Sequence, residues 1–132
     1  MVEKIKKIIN KLKLPVLPPH IVSCENYRPD AATRVEHGYV IIEYVNSKDR
    51  FNWDIGGMFT LLVRKDIVDY GVVIVKEGLW DNLIYQIRKY QNDWCKDLNL
   101  VILIGLEEFK QWLKKQKEQS TLWKPENLIV CD

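Results

Sequence analysis

Two acidic side chains stand where their chemistry has consequences. Asp30 follows Pro29, and Glu43 lies inside the apolar run 39–45, with twelve residues between them. An acid in a strand that otherwise reads as buried is costly unless something pairs it. Glu36-His37-Gly38, between the two, is a turn signal. An antiparallel hairpin turning near His37 brings Asp30 and Glu43 side by side on one face. Two carboxylates that close repel each other unless a cation lies between them. Hard oxygen ligands with open water positions suit Mg²⁺ or Mn²⁺, and such a metal activates phosphate esters toward hydrolysis.

Plainer readings of the same residues stay open. An aspartate after a proline is a common turn opener. Glu43 can instead form a structural ion pair with Arg28, Arg34 or Lys48. The two histidines, His20 and His37, have no zinc-ligand spacing, and Gly56-Gly57 lacks the phosphate-loop pattern. Ser23 and His37 make no triad, because nothing supplies a nucleophile elbow or an oxyanion hole. The three cysteines are scattered and form no CxxC pair, so reduced thiols are expected.

The elements that must position the two acids follow from periodicity. Ile5, Ile8, Ile9 and Leu12 repeat at helical spacing over residues 2–13, with lysines on the other side. That helix reads as a surface helix with a solvated lysine face, although a basic amphipathic helix can also lie on phosphates. Residues 20–27 read as a strand, and a second strand is expected from Asp30 through Val35. In the strand 39–45 the two-residue period puts Glu43 on one face with Ile41 and Val45, and Tyr44 on the other. A helix capped by Asn52 then carries the stripe Ile55, Met58, Phe59, Leu62 and Val63, with Asp54 in its first turn. Gly56 and Gly57 in that helix suggest close approach of another backbone.

The run 70–75, YGVVIV, reads as a central strand buried on both faces. A helix over 79–96, a strand over 98–104 and a helix over 106–118 complete the pattern, and the apolar tail is expected to add an edge strand. Strands alternating with helices in the back half imply parallel strands with crossover helices. The expectation is one α/β domain over residues 1–132, with a central mixed sheet flanked by helices. Hydrophobic residues at 47% and charged residues at 29% fit a folded globular chain, and a net charge of +2 neither demands nor forbids nucleic acid. No run is long and apolar enough to span a bilayer, and the lysines of the N-terminus are interleaved with isoleucines rather than preceding an apolar core. A cytoplasmic chain without a membrane partner is expected.

Pro29-Asp30, the twelve-residue spacer and Glu43 in its strand resemble the PD-(D/E)XK, or restriction-endonuclease-like, nuclease superfamily. The stretch from Glu43 to Val75 is similar to the catalytic strand, helix and central strand of some type II restriction enzymes. The resemblance implies an αβββαβαβα order, a Mg²⁺ or Mn²⁺ cofactor and DNA as substrate. It implies that Asp30 and Glu43 bind the metal, that the main-chain carbonyl of Tyr44 adds a ligand, and that Glu25 can assist. The third motif position falls on Val45, which cannot bind a water, polarise a phosphate or carry a proton. Either Lys48 takes over the role of the usual lysine, or catalysis is lost. Two functions therefore stand: a small metal-dependent deoxyribonuclease, acting on DNA and able to work as a homodimer, or a catalytically inactive nuclease-fold module that binds nucleic acid or a protein partner.

Overall fold

The structure, a computed structural model, describes residues 1–18, 29–35, 38–63, 68–93 and 99–131. Helix α1 (Val2–Lys11) precedes the hairpin strands β1 (Ala31–Val35) and β2 (Gly38–Val45). Helix α2 (Lys48–Val63) leads to β3 (Val68–Val75). Two short 3₁₀ turns, Glu77–Leu79 and Asp81–Leu83, run into α3 (Ile84–Asp93), and β4 (Leu100–Ile104) is followed by α4 (Gly105–Cys131). The sheet order is β1-β2-β3-β4. β1 pairs antiparallel with β2, and β2–β3 and β3–β4 are parallel. This is the mixed sheet flanked by helices that the sequence pattern implies. No helix among the described residues is long and apolar enough to cross a membrane.

Alternation along the strands makes two cores, one on each face of the sheet. On one face Ile41, Val45, Val73 and Val75 pack under α2 and α3. On the other, Val40, Ile42, Val72 and Ile74 pack under α1 and α4. Helix α2 is held by Phe51, Ile55, Met58 and Leu62, all at most 2% exposed. Each such side chain stabilises the fold by roughly 1.5–3 kcal/mol. On the opposite face α1 is anchored by Ile5 and Ile9, both fully buried. After α1, the Leu17 N–H donates to the Ala32 carbonyl at 3.0 Å, and the Thr33 hydroxyl donates to the Pro15 carbonyl at 2.6 Å. The chain thus covers the open edge of β1, which would otherwise offer unpaired backbone groups.

Several expectations are corrected. Helix α2 begins at Lys48, not after Asn52, with Ser47 just ahead of it and Asp49 in its first turn. Both types favour a helix start as much as Asn52 does. Asn52 is no cap: its side-chain oxygen accepts the Tyr90 hydroxyl at 2.9 Å. The helix expected over 79–96 begins only at Ile84, since Gly78, Asp81 and Asn82 favour turns over regular helix. The tail adds no edge strand; α4 continues through it to Cys131. A short apolar run does not by itself distinguish strand from helix. The strand expected over 20–27 lies outside the described residues.

At Gly56, one of the two glycines where a close approach is expected, the space is open, and a close approach is found at Gly71. A Cβ on Gly56 would meet nothing within 4 Å, whereas one on Gly71 of β3 would lie 3.0 Å from both the Leu62 Cδ1 and the Met58 Sδ. Gly71 is therefore the seat of α2 on the sheet. Gly105 has φ +73°, the left-handed region that lets the chain turn sharply from β4 into α4. Gly71→Val should overpack the α2 seat and lower stability by about 1–3 kcal/mol, measured by urea unfolding. An unchanged midpoint would show that α2 does not depend on this packing.

Candidate metal centre

The hairpin register decides which residues meet. Ala31 pairs with Ile42 and Ala32 with Ile41. One step further along the same register sets Asp30 opposite Glu43. Directly opposed residues of an antiparallel pair share a face, and Ala32, Ile41 and Val45 mark that face as the one covered by α2. Glu43 is buried there at 5% exposure, and Asp30, just ahead of β1, is half-buried.

Asp30 is held by the end of β2. Its Oδ2 accepts the Tyr44 main-chain N–H at 2.9 Å. The N–H and C=O of a strand residue project to the same side, so the Tyr44 carbonyl also points past the start of β1, toward Asp30. The next carbonyl, that of Val45, turns the other way and accepts the Lys76 N–H at 3.0 Å. The Tyr44 side chain lies on the opposite face of the sheet, against the α1–α4 core. Burial pushes its phenol above the usual value, and the Glu77 charge adds to the effect.

A third acid joins this face from α2. Phe51, Asp54, Ile55, Met58 and Leu62 follow the helical repeat, so Asp54 sits on the buried stripe at 2% exposure. The Arg50 Nη2 lies 3.6 Å from its Oδ1. That is an ionic contact, too long for a hydrogen bond. Among the described residues Oδ1 has no hydrogen-bond partner. Burial raises the Asp54 carboxyl to about 6; the Arg50 charge opposes the rise and the Asp30 charge adds to it. Asp30 and Asp54 thus feel each other across the gap between the hairpin and α2.

The structure ties Asp30 to the Tyr44 main chain at the end of β2, buries Glu43 on the face under α2, and places Lys48 at the exposed first residue of α2. Val45 is fully buried in the core under α2, so no water or proton carrier occupies its position. Arg34 holds its guanidinium over the Tyr39 ring, 5.9 Å from the centroid. Glu25, together with His20, Arg28 and His37, lies outside the described residues. Asp54 escapes the sequence reading, which expected it in the first helical turn. The available signal was an acid three residues after Phe51 and four before Met58, on the apolar stripe itself.

The Asp30 and Glu43 carboxylates and the Tyr44 carbonyl are oxygen donors of the type a hard divalent cation takes. Among the described residues, however, no three of His, Cys, Asp and Glu are gathered into a ready cage.

No family model matches the sequence, and no curated protein matches it. Among solved structures, the crystal structure of an XisH family protein from Nostoc punctiforme PCC 73102 is similar, with a TM-score of 0.50. The likeness covers 78% of this chain and 88% of that one, at 13% sequence identity. At that identity it is a distant likeness of fold. It is consistent with a restriction-endonuclease-like arrangement of the mixed sheet and its helices.

The raised Asp54 carboxyl has a consequence for stability. Between its ordinary value of 3.8 and about 6, the folded state holds more of this proton than the unfolded state. Stability from this group therefore falls as pH rises through that window and stays low above it. Asp54→Asn should raise stability at pH 7 by about 1–3 kcal/mol and flatten the pH dependence between about 4 and 6. Thermal melts across that range check the sign; a wild-type melting temperature that climbs steadily from acid to neutral pH would contradict it.

Proposed function

We propose that this protein is a metal-dependent nuclease-like protein that hydrolyses phosphodiester bonds in DNA, with Mg²⁺ or Mn²⁺ as cofactor. The observation that carries the reading is the register placing Asp30 opposite Glu43 on the face where Asp54 is also buried. Asp30, Glu43 and the Tyr44 carbonyl would hold the cation, with Asp54 adding negative charge behind them. Such a cation supplies Lewis-acid polarisation of the phosphodiester and offsets the charge that builds on it.

The remaining work falls to the chain itself. The Tyr44 N–H donates to one Asp30 carboxylate oxygen at 2.9 Å and so helps to orient the group. The start of α2 presents Lys48 and Arg50, both exposed, beside the positive end of the helix dipole. A DNA phosphate approaching the carboxylates from that side meets two cations. Lys48 is the candidate to orient the phosphate and the attacking water in place of the usual lysine. The packing of α2 against the sheet excludes bulk water from behind the acids.

One observation favours a second reading. Val45 is fully buried where a lysine ordinarily stands in the motif. A nuclease-fold module that binds nucleic acid or a protein without cutting fits that substitution.

Mn²⁺ titration by calorimetry, followed by incubation with supercoiled, linear and branched DNA, separates the two. The nuclease reading expects Mn²⁺ binding that Asp30→Asn or Glu43→Gln abolishes. It also expects cleavage that falls at least about a hundredfold in either variant and in Lys48→Ala, a loss on the scale of a removed catalytic group. Folded wild-type protein that binds DNA but neither binds Mn²⁺ nor cuts would leave only the second reading.

A further inference from the structure

The sheet separates charge as well as apolar surface. Helices α1 and α4 pack on the same face, through Ile5 and Ile9 from one and Phe109 and Leu113 from the other. Residues 2–13 and 105–118 together carry nine lysines and four acids, a net +5. The whole chain is only +2, which leaves the rest of it at −3. The positive charge is thus gathered on the face opposite the carboxylates. Both helices lie in this one layer and both turn lysines to solvent.

We propose that the α1–α4 face is a docking surface for the phosphate backbone of nucleic acid, separate from the carboxylate site. Lys4, Lys7 and Lys11 recur at i, i+3 and i+7, and all three are exposed. They form one row about 10 Å long on α1. A DNA duplex offers about six phosphate charges over that axial length. Lys110, Lys114 and Lys115 add exposed cations on α4. The nine lysines outnumber the four acids on these segments; Glu3 is paired with Lys6 at 3.8 Å, which is not one of the row lysines.

Charge alone also attracts anionic lipid, and the burial pattern decides against it. A membrane-surface helix inserts its apolar face into the lipid boundary. The apolar face of α1 is already used, because Ile5 and Ile9 are fully buried against the sheet. What remains outward is lysine, which suits a hydrated polyanion. The proposal does not depend on metal binding by Asp30 and Glu43.

Fluorescence anisotropy with a labelled duplex of about 20 base pairs, between about 50 and 200 mM salt, tests it. Wild-type protein should bind with an affinity that falls steeply with salt. Replacing Lys4, Lys7 and Lys11 by Gln together, or Lys110, Lys114 and Lys115 by Gln together, should weaken binding about tenfold or more. The salt slope should fall by about 0.9 for every phosphate that the protein ceases to neutralise. All six positions are exposed, so circular dichroism should show an unchanged fold. Measured without divalent metal, this binding stays apart from the metal titration, and Lys89→Gln, an exposed lysine of α3 on the other side of the sheet, should bind the duplex as wild type does. The proposal fails if the variant with all six lysines replaced binds with the wild-type affinity and slope. It also fails if wild-type protein binds phosphatidylserine vesicles and not the duplex, or binds neither.

Discussion

A single hydrogen bond joins the two ends of the hairpin where the acids lie. The Asp30 carboxylate accepts the Tyr44 N–H at 2.9 Å. It extends the β1–β2 ladder by a side chain, one step beyond the last backbone pair, Ala31 with Ile42. Because strand side chains alternate, a slip of one residue in that register would turn Glu43 toward the α1–α4 core and Tyr44 toward α2. The apolar residues on each side resist such a slip. Ile41 and Val45 need α2, and Val40 and Ile42 need the other helix layer. The position of the acids is therefore a by-product of packing, held by many apolar neighbours and, at Asp30, by the bond to Tyr44.

The same packing makes the acids costly. Glu43 and Asp54 are nearly solvent-free. A charge taken out of water raises the energy of the ionised form, which is why the Asp54 carboxyl rises to about 6. Arg50 relieves this only in part, since it reaches Asp54 from the exposed side of the helix at 3.6 Å. The four apolar side chains of α2 offset the penalty and keep the helix seated over Gly71.

Much of the fold was legible because its signals are local. The run Val72–Val75 is apolar on every residue and proves to be a strand flanked on both sides, with both faces covered. The i, i+3, i+4 repeat of Ile5, Ile8 and Ile9 marked α1, and alternation placed Glu43 with Ile41 and Val45 before any partner was known. The weaker parts failed where competing local signals were close in energy. Ser47, Asp49 and Asn52 are all acceptable near a helix start, and the chain used the earliest. That shift of five residues took Asp54 out of the first turn, and it lies on the buried stripe instead. The crowded glycine was likewise invisible, because Gly71 is crowded by α2, which no neighbour in sequence reveals.

The sequence by itself determined the alternation of elements and the side of each element that must be buried. These follow from the periods of helix and strand, which are properties of the local backbone. It also placed a turn between Asp30 and Glu43, close enough in the chain to form a hairpin. Only the tertiary structure decided which helix covers which face, and so which charges meet. Asp54 became a neighbour of Asp30 because α2 crosses back over the hairpin face. The lysines of α1 and α4, about a hundred residues apart, came to share a face because both helices bury their apolar stripes on the same side of the sheet. Meetings of that kind depend on chain crossovers and on the sharing of apolar surface among distant segments, and no local period encodes them.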